Sequence, residues 1–258
     1  MHAKGHQAII VAAKAGGKVS RSYFGKVLTI TEKSKASDVR TEADVESETV
    51  IVGILKKAFP TYNIFSEECG MIDKNSEYTF YIYPLDGTNN FALGVPNFSV
   101  SIALCRGREA VAGVIHLPML GLTYSAREGA GAFCNDIPVK LSPETSLERS
   151  TSAFMCGYHC PKPIIIETIG RLSVKTKRVL VNWSVASDMC LLVAGKIETI
   201  VACEGMELHD FLAGKLIAKE AGCVITDHVG RPEKDDFNAE FVASCNQELH
   251  EKVTPLLF

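Results

Sequence analysis

Tyr83-Pro84-Leu85-Asp86-Gly87-Thr88-Asn89-Asn90-Phe91 is the stretch that decides how this chain is read. It continues an apolar, aromatic run at 78–83 that has the composition of a β-strand. An acid, a glycine and a hydroxyl residue therefore stand at the end of a strand, where layered α/β folds assemble their sites. Asp86 offers a hard oxygen ligand. Gly87 lacks a Cβ, so a ligand can come close to the backbone. Thr88 adds a hydroxyl and an amide, and a helical turn starting there would aim free N–H groups at an anion. Turn chemistry alone also accounts for Asp-Gly-Thr, so the segment gains meaning only with partners.

Two further segments supply them. Phe65-Ser66-Glu67-Glu68-Cys69-Gly70 puts two acids after a second strand, and Gly205-Met206-Glu207-Leu208-His209-Asp210 opens a helix. Taken singly, Glu67-Glu68 reads as a solvated pair and Asp210 as a helix cap. Carboxylates gathered from distant segments suit Mg²⁺, which takes oxygen ligands and keeps several waters. A metal beside a phosphate cradle implies phosphoryl chemistry.

Around these segments the chain has the texture of a globular α/β protein. Its 258 residues are 47% apolar and 22% charged, which excludes a disordered chain. Lys plus Arg is 27 and Asp plus Glu 30, a net charge of −3 that gives no electrostatic case for nucleic acid. No apolar run reaches the ~20 residues of a membrane span, and the run at 8–13 is too short for a signal-peptide core. The expectation is a cytoplasmic protein without a membrane partner. The nine cysteines are odd in number and scattered, as small core residues are. Cys156, His159 and Cys160 cluster, but no second pair has the spacing of a zinc site.

Periodicity predicts helices over 3–24, with Ala8, Val11, Ala12, Ala15 and Val19 on one face, and over 44–59, stopped by Pro60. A polar stretch at 29–41 reads as a loop. Strands are expected at 62–65, 78–83, 98–105, 111–117 and 122–126, then at 179–181, 199–202, 223–226 and 241–244. Helices are expected at 187–194, 211–221 and 247–256, with Gly222 as a C-terminal stop. The polar stretch near 141–150 divides the chain into an N-terminal α+β lobe, 1–141, and a C-terminal α/β lobe, 142–258, which contributes Asp210 and substrate contacts.

In this order the segments resemble the inositol monophosphatase family, the lithium-sensitive, Mg²⁺-dependent phosphatases related to fructose-1,6-bisphosphatase. Asp38-Val39-Arg40-Thr41-Glu42-Ala43-Asp44 is similar to the family's Asp-x-x-Thr-x-x-Asp, and Ser66-Glu67-Glu68 to its Gly-Glu-Glu. The 83–91 stretch looks like its Asp-Pro-(Ile/Leu)-Asp-Gly-Thr-x-Asn-Phe signature. Ser184-Val185-Ala186-Ser187-Asp188 resembles Ser-x-Ala-x-Asp, and His209-Asp210-Phe211-Leu212-Ala213-Gly214 the final Trp-Asp-x-x-Ala-Gly. The resemblance implies a layered αβαβα sandwich, a homodimer, two or three Mg²⁺ ions and a small phosphorylated metabolite of the inositol- or sugar-phosphate class. It further implies metal ligation by Glu67, the Leu85 carbonyl, Asp86 and Asp210. Glu67 and a Thr88–Asp44 hydrogen bond would activate water, while Gly87, Thr88, Asn89 and Lys33 would bind substrate.

One departure stands out. Tyr83 occupies the place of the signature's first Asp, which in the family bridges two metals. A phenol with an ordinary pKa of about 10 is uncharged at neutral pH, so weaker metal binding is expected. The alternative is a catalytically impaired relative that binds a phosphorylated ligand. Cys203 stands where the family often has a hydroxyl-binding Glu, and His209 where it has Trp.

Overall fold

The computed structural model describes residues 3–26, 29–32 and 39–257. Lys33 and Asp38 lie outside them. The chain opens with two helices, α1 (Ala3–Tyr23) and α2 (Glu42–Ala58), separated by a short antiparallel ribbon, β1 (Thr31–Glu32) and β2 (Val39–Arg40). The stretch expected as a loop thus carries a strand pair at its described ends.

A first sheet follows, built from β3 (Asn63–Ser66), β4 (Gly70–Ile72), β5 (Tyr78–Asp86), β6 (Ser99–Arg106), β7 (Glu109–Leu117), β8 (Leu122–Arg127), β9 (Ala132–Cys134) and β10 (Ile137–Pro138). Its order is β10-β9-β8-β7-β6-β5-β3-β4, antiparallel except between β3 and β5. A short helix, α3 (Thr88–Ala92), leaves the end of β5. The second sheet holds β11 (Thr151–Met155), β12 (Arg178–Leu180), β13 (Thr199–Ala202), β14 (Val224–Thr226) and β15 (Phe241–Ser244), in the order β12-β11-β13-β15-β14. Helices α4 (Lys162–Lys175), α5 (Val185–Val193), α6 (Leu208–Ala221) and α7 (Gln247–Val253) complete the chain.

Strand alternation sorts the layers. In β6, Val100, Ile102 and Leu104 pack with Ile9, Ile51 and Leu55 of α1 and α2. The intervening Ala103 and Cys105 join a second core with Phe211, Leu212 and Leu216 of α6, which also takes in the second sheet. Both faces of the first sheet are therefore covered, and its central strands β6 and β7 are buried along nearly their whole length. The architecture is the expected αβαβα sandwich.

The buried stripe of α1 differs from the predicted one. It runs through Ile9, Ala12, Ala13, Gly16 and Ser20, while Val11 is 47% exposed. The reason is close packing against α2: a Cβ on Gly16 would meet Ile51 Cδ1 at 2.5 Å. Strand β11 and helix α4 were not anticipated. Three consecutive isoleucines, Ile164, Ile165 and Ile166, give α4 no clean helical period, and Ile166 is 72% exposed. All nine cysteines are free; five are buried as core residues are, whereas Cys134, Cys156 and Cys223 are half-buried and Cys69 is exposed. No described helix is long and apolar enough to cross a membrane.

Candidate active site

Strand β5 ends in a bulge. Tyr83 pairs with Ser101 and Asp86 with Ser99, so three steps on β5 oppose two on β6. Pro84, which has no N–H to give a ladder, sits inside the bulge. Its carbonyl accepts from Ser47 Oγ of α2 at 2.8 Å. The chain then turns at Gly87, whose φ is 87°. A Cβ there would lie 2.9 Å from the Asn97 carbonyl and 3.2 Å from Ser184 Cβ. The glycine is thus required by neighbouring protein and a left-handed backbone, whereas the sequence suggested ligand approach.

The Asp86 carboxylate is buried and takes four protein donors. Ser99 Oγ and Ser184 Oγ donate to Oδ2 at 2.9 and 2.6 Å, the Ala186 amide to Oδ2 at 3.1 Å, and the Val185 amide to Oδ1 at 3.2 Å. Ser184 is the N-cap residue of α5, so Asp86 lies at the positive end of that helix. Burial pushes its pKa up, and the hydroxyls and amides pull it back.

Across the bulge, Asp44 occupies the third position of α2 in a capping box with Thr41. Its Oδ2 accepts from the Thr41 amide and hydroxyl at 2.8 and 2.7 Å. The Thr88 hydroxyl lies 3.1 Å from Asp44 Oδ1 and 3.0 Å from the Leu85 carbonyl. Burial raises the Asp44 pKa to about 6. Glu67 and Glu68 follow β3 directly. The buried Glu48 carboxylate, which the sequence reading did not single out, holds that turn by accepting from the Glu68 and Cys69 amides at 3.0 and 3.2 Å. Arg40 pairs with Glu68 at 3.2 Å. Among the described residues, Asp44, Glu67 and Glu68 are the one group of three such side chains whose ligand atoms all lie within 4.8 Å of one another.

Glu67, Asp86 and Asp210 line one cavity of about 490 Å³ with Tyr83, Gly87 and His209. Asp210 caps α6 by accepting from the Glu207 amide at 2.8 Å, and burial raises its pKa to about 8. Tyr83 is buried at the centre of these acids. Desolvation first, then the charges of Glu67, Asp210 and Asp86, hold its phenol well above the usual value, so it is neutral. The ring meets His209 edge to face at 4.8 Å. His209 is itself buried, with Nε2 3.5 Å from Asp210 Oδ1, so it is no surface histidine. Asn89 directs its amide to the Tyr158 hydroxyl at 2.9 Å. Tyr158 and Trp183, both missed in the sequence, also line the cavity. The signal available for Trp183 was that it is the chain's only tryptophan. Cys156, His159 and Cys160 do not form a three-ligand metal group, and burial pushes the Cys156 thiol up to about 12.

The donor chemistry differs between the two sides of the bulge. Clustered carboxylate oxygens around Asp44, Glu67 and Glu68 fit a hard cation such as Mg²⁺. On the Asp86–Asp210 side the fit is poor, because Asp86 is engaged by four donors and the group beside these acids, Tyr83, is a neutral phenol.

The inositol monophosphatase family model matches residues 4–257. The chain belongs to the inositol monophosphatase family. It is 33% identical over 244 residues to a fructose-1,6-bisphosphatase/inositol-1-monophosphatase of Thermotoga maritima, covering 93% of this chain and 91% of that one. It is 33% identical over 234 residues to the Nus factor SuhB of Vibrio cholerae, covering 89% and 87%. The extragenic suppressor protein suhB of Bartonella henselae superposes with a TM-score of 0.90 at 28% identity, over 99% of this chain and 98% of that one. Relatives in this family carry phosphatase names, as in Thermotoga maritima, and SuhB names, as in Vibrio cholerae.

Proposed function

We propose that the protein is a metal-dependent phosphomonoesterase acting on a small phosphorylated metabolite. The observation that carries this reading is the convergence of Glu67, Asp86 and Asp210 on one cavity beside Gly87 and Thr88. Family membership and the clustered carboxylates support it.

Glu67 and Glu68, with Asp44 beside them, would hold Mg²⁺, and the Leu85 carbonyl, 3.0 Å from the Thr88 hydroxyl, would be a further ligand. Such an ion lowers the pKa of bound water and neutralises phosphate charge. The chain's own groups set the rest of the reaction. Asp44 fixes the Thr88 hydroxyl, which orients a water for attack on phosphorus in line with the leaving oxygen. The Gly87, Thr88 and Asn89 amides bind the phosphoryl oxygens. Water adds its oxygen to phosphorus, the phosphorus–oxygen ester bond breaks, and the leaving alkoxide takes up a proton. No step is assigned to a second ion between Asp86 and Asp210, because the residues there do not fit one.

The test is phosphate release with Mg²⁺ from inositol and sugar monophosphates. Turnover no higher than that of Glu67→Gln, at every Mg²⁺ concentration, sinks the reading. A second reading rests on Tyr83: a relative that binds phosphorylated ligands but turns them over poorly. A parent near background whose Tyr83→Asp variant gains orders of magnitude in rate supports that second reading.

A further inference from the structure

The site contains more aromatic surface than phosphate chemistry uses. Tyr158 and Trp183 stand nearly parallel in the cavity wall, 11° apart with ring centroids at 6.2 Å. Trp183 is the chain's only tryptophan, yet it is 49% exposed and contributes little to the core. Its backbone is also strained, with φ at +52°. A bulky side chain in the left-handed region is an outlier that persists only where its surroundings impose it. Those surroundings are the catalytic loop itself. The Asn182 carbonyl accepts from Asn90 at 2.8 Å and from Asn97 at 3.3 Å, while the next residue, Ser184, donates to Asp86. The residues on both sides of Trp183 are thus tied to the Asp86 loop, and the indole is held at the cavity wall. The Tyr158 hydroxyl is in turn fixed by Asn89, one position beyond Thr88.

Resting on the phosphatase reading, we propose that the leaving group of the substrate carries a planar aromatic ring that stacks on Trp183, making Trp183 and Tyr158 the specificity determinants of the site. A cavity of about 490 Å³ holds such an ester. Stacking is tolerant of ring identity because every aromatic ring presents a π-face. A polyol needs side chains that read its hydroxyls, and three of the polar residues that line the cavity with Trp183 or hold its wall are already committed to protein partners. Asn89 donates to the Tyr158 hydroxyl, Asp86 carries four donors, and Glu207 is committed to the capping box of α6.

Because Trp183 is unique, its emission reads the site directly. The experiment titrates the Mg²⁺-loaded full chain with adenosine, adenosine monophosphate, inositol monophosphate and inorganic phosphate. Binding is then measured by calorimetry in Trp183→Leu and Trp183→Phe. Adenosine, which carries no phosphate, is expected to change the emission. Trp183→Leu is expected to weaken adenosine monophosphate about tenfold. Trp183→Phe should restore most of that, with inorganic phosphate bound equally by all three chains, which also shows that the variants are folded. An unchanged emission with both adenosine compounds overturns the proposal. So does a Trp183→Leu variant that binds adenosine monophosphate as the parent does, or loses inositol monophosphate equally. Phosphate release separates the two readings. Stacking that depends on Trp183, without release from any ester, keeps the aromatic site and sinks the phosphatase. Release from inositol monophosphate alone, insensitive to Trp183, does the reverse.

Discussion

The two carboxylate regions flanking the β5 bulge are built in opposite ways. Asp86 takes four donors from β6 and the start of α5, so its charge is balanced by the fold. Asp44 also accepts hydrogen bonds, from Thr41 and Thr88, and Glu68 pairs with Arg40, but with Glu67 these acids bring like charges within 4.8 Å. A buried carboxylate is tolerable when hydrogen-bonded, whereas neighbouring carboxylates raise one another's cost of ionisation. The comparison teaches that acids in one cavity need not share one role. The first region uses its charge to join α5 to β5. The second stores repulsion that a cation relieves.

The largest effect that can break this contrast is expected from Asp86→Ala. It strands two hydroxyls and two amides in the interior, and the chain should lose about 4 kcal/mol of stability in urea unfolding. The loss should be the same with and without Mg²⁺. A loss under about 1 kcal/mol, or one seen only with Mg²⁺ present, would show that Asp86 serves the ion rather than the fold.

Acidity sharpens the contrast next. The folded pKa of Asp44 is raised to about 6 from its ordinary 3.8, so the folded chain binds a proton more tightly than the unfolded chain. Stability from this group is therefore complete below about pH 4 and is lost as pH climbs to about 6, by roughly 3 kcal/mol in total. Asp210, raised to about 8, adds a decline that continues to about pH 8. The contribution of these two acids to metal-free stability should accordingly fall from pH 4 to 8, more steeply below 6, and is read as the difference between parent and variant profiles. Asp44→Asn should remove the steeper portion and leave the remainder. Urea midpoints across this range test it, and an unchanged profile in Asp44→Asn would reject the assignment.

How much of this was legible beforehand follows from where the signals lie. Strands β13 and β15 were read to the residue, because short apolar runs bounded by polar ones are local patterns. Gly222 does end α6, at φ 92°. The 83–91 stretch was recognisable as a family signature from its own nine residues and from acids in fixed order. The roles inside it were less so. Nothing local ties Asp86 to Ser99, or to Ser184, Val185 and Ala186 about a hundred positions away. Glu68 looked solvated in sequence, yet its side chain is only 6% exposed beneath Arg40. The Tyr158–Trp183 pair joins residues from two loops, and a left-handed tryptophan has no sequence signature.

Glu67→Gln tests the stored repulsion. Removing one of three crowded charges should stabilise the metal-free chain by about 1 kcal/mol. It should also cut the gain from saturating Mg²⁺, which for an intact site at a hundred times its dissociation constant is about 2.7 kcal/mol. The sign therefore reverses with the ion: the variant is the more stable chain without Mg²⁺ and the less stable one with it. Melting curves under both conditions decide the point, and a variant less stable in both would place Glu67 among the structural acids with Asp86.

The smallest effect concerns Arg40, which already supplies a cation to this side. Its side chain is 41% exposed, so solvent screens the pair with Glu68 and its contribution should not exceed about 0.5 kcal/mol. Arg40→Gln should lower metal-free stability by no more than that. It should nevertheless bind Mn²⁺ more tightly than the parent, by about two- to threefold, because the ion no longer competes with a guanidinium for Glu68. Calorimetric titration with Mn²⁺ reads the affinity apart from any turnover. Weaker binding in Arg40→Gln would mean that Arg40 orients Glu68 for the metal, and the balance of charge on this side would then include the guanidinium as a permanent member rather than a placeholder.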